Sequence, residues 1–223
     1  MSDTDSFIDE VTEEVRRDRL YALYKKYGWI AVVVIVAIVG GAGFNEYRKS
    51  QKIAAAQKLG DDMITALAAD DPAGRAAGLT QVQADSAGGD AVLKMMQAAA
   101  LANSGKLEEG LAALNTVATN GDLPKIYRDL AQFKALTLQT ETLPVADRRL
   151  QFEALAAPGA PLRLLAEEQL ALIEVSEGQA DAAIERLQAL IQDAEVTSDL
   201  QQRASQLIVA LGATPETAPG QQD

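Results

Sequence analysis

The side chains that could act as nucleophiles in this sequence are serines, for example Ser86, Ser104, Ser176 and Ser205. A serine hydroxyl becomes reactive when a neighbouring base removes its proton, and that base is most often histidine. The 223 residues contain no histidine and no cysteine, and no Ser-x-x-Lys motif includes these serines. The sequence therefore excludes cysteine nucleophiles, histidine-dependent acid–base catalysis and zinc sites built from thiolates or imidazoles.

The acidic pairs Asp61-Asp62 and Asp70-Asp71 are the remaining candidates for chemistry. A calcium loop needs oxygen ligands at alternate positions and a bidentate acid further along, and neither pair has this context. Asp70-Asp71 precedes Pro72, which is typical of a helix N-cap followed by proline. Hydrolysis by two carboxylates alone fits the composition, but only three aromatic residues follow Tyr47 to bind a sugar. We therefore predict a protein that is not an enzyme and has no catalytic residue, cofactor or metal site.

The charge balance bears on the partner. The net charge is −12, from 20 basic and 32 acidic side chains, whereas binding to phosphates needs an excess of Lys and Arg on some face. Nucleic acid is therefore not an expected partner. Lys106 with Glu109, and Arg163 with Glu167-Glu168, are spaced to form pairs on solvated helix faces.

One uncharged segment, residues 27–45, has the sequence YGWIAVVVIVAIVGGAGFN. As a helix its 19 residues would extend roughly 28 Å, close to the hydrocarbon thickness of a bilayer. Aromatic residues flank it at both ends, as they do at membrane interfaces; they are Tyr24, Tyr27, Trp29, Phe44 and Tyr47. The pattern predicts a single transmembrane helix at 27–45.

The composition of the segment before this helix indicates whether the helix is a membrane anchor or part of a cleaved signal peptide. Gly41-Ala42-Gly43 would suit signal-peptide cleavage, but residues 1–26 contain seven acids, which is unlike the basic start of a signal peptide. Five basic residues precede the helix and four follow it closely. This small bias favours a cytoplasmic segment 1–26 and a following domain outside the cytoplasm. Ala37 and Gly41 form a small-xxx-small pair that would admit a second helix closely, although glycine is also simply tolerated in membrane helices.

Beyond the transmembrane segment the composition predicts an all-α domain over residues 46–212. Alanine and leucine dominate, which favours helix over strand, and the first helix is expected to continue until near Ala69. Glycine and proline then recur at short intervals, and apolar residues fall three or four apart between them. In one such helix these apolar positions are Leu162, Leu165 and Leu172. Tight turns between amphipathic helices predict stacked helical hairpins.

Two of the turns share a pattern of small and apolar residues, 73 positions apart (178 − 105). A turn glycine is expected to adopt a left-handed conformation, and a small residue five positions later lets the second helix approach the first. The first set is Ala98, Ala102, Gly105, Gly110 and Leu114, and the second is Ala171, Val175, Gly178, Ala183 and Leu187. The spacing is about twice the period of a two-helix repeat.

These positions resemble the tetratricopeptide repeat, with small residues at the helix contact, a turn glycine and an exit proline near Pro124. The usual large aromatic of the first helix is missing, and the unit at 123–157 lacks a turn glycine. The whole layout resembles the bacterial family of ancillary SecYEG translocon subunits. That resemblance implies a single-pass inner-membrane protein whose periplasmic domain binds the Sec translocon and periplasmic chaperones or clients.

Two functions follow from these patterns. The first is a protein-interaction domain, tethered outside the cytoplasm by one transmembrane helix. The second is a structural subunit or assembly factor of another membrane complex, bound mainly through that helix. Residues 213–223, with the sequence ATPETAPGQQD, are predicted to be a disordered tail.

Overall fold

The structure is a computed structural model that describes the backbone of residues 3–216 and the side chains of residues 25–216 except Gly28 and Ala31. Contacts divide the chain into two units, Met1–Lys58 and Leu59–Asp223. Nine α-helices and no strand occupy the described part. The predicted all-α fold is therefore confirmed.

The helices follow one another with short connections. In chain order they are α1 (Asp3–Leu67), α2 (Pro72–Gln81), α3 (Ala87–Asn103), α4 (Leu107–Ala118), α5 (Lys125–Leu138), α6 (Val145–Leu155), α7 (Arg163–Ser176), α8 (Ala180–Gln192) and α9 (Ser198–Ala210). Helix α1 is continuous through the predicted transmembrane segment and ends two residues before Ala69. Asp71 caps α2, because its carboxylate accepts a hydrogen bond from the Gly74 N–H at 2.8 Å and Pro72 occupies the first helical position.

Within the second unit, four apolar cores follow one another along the chain, and three consecutive helices build each of them. The first core is built by the end of α1 with α2 and α3, and the second by α3, α4 and α5. The third is built by α5, α6 and α7, and the fourth by α7, α8 and α9. Helices α3, α5 and α7 each contribute to two cores. Helix α7, for example, places Leu170 in the third core and Ala171 in the fourth. The second unit is therefore an array of helical hairpins in which each core also stabilises the next.

Every second helix from α3 onward ends at a nearly constant interval. Helices α3, α5, α7 and α9 end at residues 103, 138, 176 and 210, which gives intervals of 35, 38 and 34 residues. The longest interval contains a six-residue connection, 139–144, between α5 and α6. Three-residue turns, 104–106 and 177–179, occupy the equivalent places in the other hairpins.

A buried arginine stabilises this longer connection through a hydrogen bond to its backbone. Arg148 of α6 is only 6% exposed, and its Nη1 donates a hydrogen bond to the carbonyl oxygen of Thr140 at 2.9 Å. Close by, the rings of Phe133 and Phe152 meet edge to face with centroids 5.6 Å apart. A side-chain hydrogen bond and an aromatic contact thus stabilise the hairpin that lacks a turn glycine.

The structure describes the two ends of the chain only in part. The side chains of residues 1–24 lie outside the described residues, as do those of Gly28 and Ala31, so the predicted segments 1–26 and 27–45 are described only in part. Among the residues that are described, no helix combines the length and the apolar character that crossing a membrane requires. At the other end, residues 213–216 lie against α8, and the predicted tail beyond them, residues 217–223, lies outside the description.

The closest approach between α3 and α4 yields a stability prediction. A Cβ atom on Gly110 would lie 2.7 Å from the carbonyl oxygen of Ala98, whereas one on Gly60 of α1 would meet nothing within 4 Å. Gly110→Ala should therefore lower the free energy of unfolding by about 1–2 kcal/mol despite alanine's better helix propensity. Gly60→Ala, the matched control, should raise it by up to about 1 kcal/mol. Urea unfolding of the full chain in detergent measures both, and a stabilising Gly110→Ala would contradict the close contact.

Candidate functional site

The two predicted turns adopt the same backbone geometry. Gly105 and Gly178 have φ values of +83° and +76°, in the left-handed region that only glycine enters without strain. In both turns the glycine N–H binds the carbonyl three residues back at 3.0 Å, and the following N–H binds the carbonyl five residues back at 2.9 Å. The predicted turn role of both glycines is thereby observed.

The packing residues of these hairpins are mostly buried. Ala98, Leu114, Ala171, Ala183 and Leu187 are at most 1% exposed. Gly110 is also buried, while Ala102 is half-buried on α3. These residues build the hairpins, and the structure does not gather them into a surface that a partner could touch.

A third turn of the same kind lies at Gly212, and the sequence patterns described above did not predict it. Gly212 has a φ of +86°, its N–H binds the Val209 carbonyl at 3.0 Å, and the next N–H binds the Ile208 carbonyl at 3.1 Å. Gly212 follows Gly178 by 34 residues (212 − 178), which is the period of a two-helix repeat, so this interval in the sequence could have predicted the turn. Helix α9 therefore ends like the first helix of another hairpin.

An ion-pair network links α6, α7 and α8. Glu174, 4% exposed, accepts hydrogen bonds from Arg186 at 2.7 and 3.0 Å, and Arg149 lies 3.8 Å from the same carboxylate. Arg186 also donates to Glu167, and Arg149 donates to Glu177. The charge-assisted hydrogen bonds raise the pKa of Arg186 above its usual value, with Glu174 as the main cause.

Three further ion pairs attach α7 to the end of the array. Glu168 accepts two hydrogen bonds from Arg203 of α9, at 2.7 and 2.9 Å, and these bonds raise the pKa of Arg203. Arg163 donates twice to Asp193, at 2.8 and 3.1 Å, and once to Glu195 at 2.9 Å. The hydrogen bonds from Arg163, followed by one from the Glu195 N–H, lower the pKa of Asp193.

One predicted charge pair is wrong and one is confirmed. Arg163 pairs with Asp193 and Glu195 rather than with Glu167 or Glu168 of its own helix, because those glutamates face arginines of α8 and α9. The predicted Lys106–Glu109 pair is present on an exposed face, with 3.4 Å between Nζ and Oε1. Spacing within one helix therefore predicted the exposed pair correctly, but it did not predict the pairs of α7, whose glutamates bind arginines of other helices.

An open groove of about 460 Å³ runs between α7 and α8, over part of this network. Its walls combine charged side chains with small apolar ones, among them Arg163, Glu167, Glu185, Leu164 and Ala189. Such a groove offers polar contacts and little apolar depth, which suits a protein surface better than a small-molecule site. Among the described side chains, no group of three or more acidic residues is arranged to hold a metal ion.

The first unit presents a different surface. The described large apolar side chains from Trp29 to Val39 are all exposed, with values from 42% to 66%. Positions 32–36 are consecutive, and at 100° per residue they point in every direction around the helix. Lys26 lies over the Tyr27 ring at 5.5 Å, and Arg48 lies over the Phe44 ring at 5.8 Å. Within the described residues, this is an apolar helix surface with cation–π pairs at both ends.

The predicted small pair lies on this surface. Ala37 is exposed, and a Cβ atom added to Gly41 would meet nothing within 4 Å. Nothing in the described part of the chain packs on this face of Gly41, so its role in helix contacts stays a prediction.

Comparisons with known proteins found nothing similar. No protein-family model, no curated protein and no solved structure matches this chain.

The ion-pair network gives a second stability prediction. Arg186→Met would leave the buried Glu174 with only the distant Arg149, so the free energy of unfolding should fall by about 2 kcal/mol, less than for a fully buried pair because Arg186 is 31% exposed. Lys106→Met, which removes the exposed pair with Glu109, should cost about 0.5 kcal/mol or less. Urea unfolding of both variants provides the comparison. Equal losses would show that the network adds no more than an exposed pair.

Proposed function

We propose that this protein is a membrane-anchored interaction protein. Residues 27–45 lie in the bilayer of a bacterial inner membrane, the N-terminus is cytoplasmic, and the helical hairpins form a periplasmic tetratricopeptide-like domain. That domain binds proteins of the Sec translocon and periplasmic chaperones or clients, and the protein acts by contact rather than by catalysis. The observation that carries the proposal is the joining of an apolar helix surface to a hairpin array in one chain.

The hairpin array supports the binding role. Its intervals of 35, 38 and 34 residues are close to the 34-residue period of tetratricopeptide repeats. Arrays of this kind expose long surfaces made by successive helices, and those surfaces bind peptides or helices of other proteins. Exposed apolar side chains such as Leu150 and Val209, at 67% and 60%, offer contact points on α6 and α9.

The apolar helix supports the membrane location. A helix that is apolar on all sides is stable in water only when other chains or lipid cover it. In this chain the uncharged stretch has 19 residues, and aromatic and basic side chains lie at both of its ends. Anchoring there would raise the local concentration of the hairpin array beside a membrane complex.

The same helix favours a second candidate function. The exposed apolar side chains at 32–36 and the small pair Ala37 and Gly41 could be the main contact with other membrane helices. The protein would then be a structural subunit or assembly factor of another membrane complex.

Topology is the first test. A reporter enzyme that is active only outside the cytoplasm should be active when fused after Asp223 and inactive when fused after Lys26, because the chain would cross the membrane once between these points. Activity is read in intact cells. An inactive C-terminal fusion that is produced at normal levels would contradict both the orientation and the periplasmic location.

Site-specific photo-crosslinking in intact cells distinguishes the two functions. A crosslinking amino acid at position 150 or 209 should capture partner proteins if the hairpin array binds them, and the exposed polar position 116 on α4 serves as the control. Partners captured at position 35 but at neither 150 nor 209 would favour the subunit role. No partner at any of the three apolar positions would contradict both functions.

A further inference from the structure

The described end of the chain turns back onto α8. Gly212, in its left-handed conformation, ends α9, and Ala213 then packs against the fourth core. Thr214 precedes Pro215, and the residue before a proline disfavours the helical region, so the chain does not continue α9 here. Residues 213–216 therefore leave α9 as a short non-helical segment, and Glu216 at its end reaches α8.

A single glutamine on α8 recognises the backbone of this segment. The Gln188 Oε1 accepts a hydrogen bond from the Glu216 N–H, and the Gln188 Nε2 donates to the Glu216 carbonyl oxygen, both at 3.0 Å. One amide thus satisfies the donor and the acceptor of the same residue, which is the pairing that a neighbouring β-strand would provide. Contacts of this kind depend on an extended backbone and little on the side chain.

The surroundings fit an occupant that can be displaced. The segment and the exposed face of α8 line an open cleft of about 430 Å³. Gln192 adds one longer contact, from its Nε2 to the Glu216 carboxylate at 3.3 Å. Asp181 and Glu185 line the same cleft, so the negative charge of Glu216 gains no opposite charge among the residues that line it.

We propose that the exposed face of α8 is a binding site for an extended peptide backbone, with Gln188 as the residue that binds this backbone and residues 213–216 as its intramolecular occupant. The inference rests on the proposed function, because a partner peptide that docks along α8 has to displace this segment first. The tail then limits access to one surface of the array.

Hydrogen exchange in the purified full chain tests the occupancy. The Glu216 amide should exchange at least fivefold more slowly than in a free peptide of residues 213–223. Gln188→Ala should abolish this protection, while Gln206→Ala, at an exposed glutamine of α9 outside the cleft, should leave it unchanged. Free exchange of the Glu216 amide, or protection that survives Gln188→Ala, would overturn the proposal. No partner protein is involved, so the outcome is independent of the crosslinking result.

Competition tests the binding site itself. A fluorescent peptide of residues 213–223 should bind a chain shortened after Ala213 with a Kd of about 0.2 mM or tighter, because a fivefold effect requires a Kd several times below the roughly millimolar effective concentration of a tethered segment. The full-length chain should bind the peptide at least fivefold more weakly, because its own tail occupies the site. The Gln188→Ala shortened chain should bind it equally weakly, and fluorescence anisotropy measures all three. Equal affinity of the shortened and full-length chains would refute an intramolecular occupant.

Discussion

The second unit depends on one constraint: no single helix of this array can bury its apolar side chains alone. Each core needs three consecutive helices, and α3, α5 and α7 are each shared by two cores. Each core therefore stabilises the next one, because the helix that they share has two buried faces. This constraint explains why backbone contacts are so close, as at Gly110 against Ala98, since two helices that share a core cannot move apart independently.

Helix α7 shows what a second buried face demands. It contacts α6 and α8, and its pair with Arg203 reaches α9, so its buried surface includes Glu168 and Glu174 as well as apolar residues. A buried carboxylate is tolerated only when it is paired and hydrogen-bonded, and Arg186 and Arg203 supply those bonds from the neighbouring helices. The charged groove between α7 and α8 is thus a consequence of the packing, and it also gives the array a polar surface suited to protein contacts.

The two units meet different requirements with the same helical geometry. The second unit buries four apolar cores between its own helices and leaves single apolar side chains such as Leu150 exposed, whereas the described apolar residues at 32–36 are all exposed. An interaction protein that works beside a membrane would need both, with the uncovered helix for anchoring and the self-sufficient array for binding. The segment 213–216 is non-helical, and one glutamine of α8 binds the backbone of its residue Glu216.

Local sequence was sufficient for the helices and the turns, because these depend on residues close together in the chain. Alanine and leucine with glycine and proline punctuation predicted the all-α fold, Asp71 predicted its cap, and Gly105 and Gly178 predicted left-handed turns. Tertiary structure alone decided the partners of α7. Leu172, expected in the core, is 39% exposed, while Glu168 and Glu174 are buried, and Arg163 binds Asp193 thirty residues away. The physical reason is that the buried face of a helix packed on several neighbours depends on the apolar surfaces and charged side chains of those neighbours. The periodicity within one helix does not contain that information.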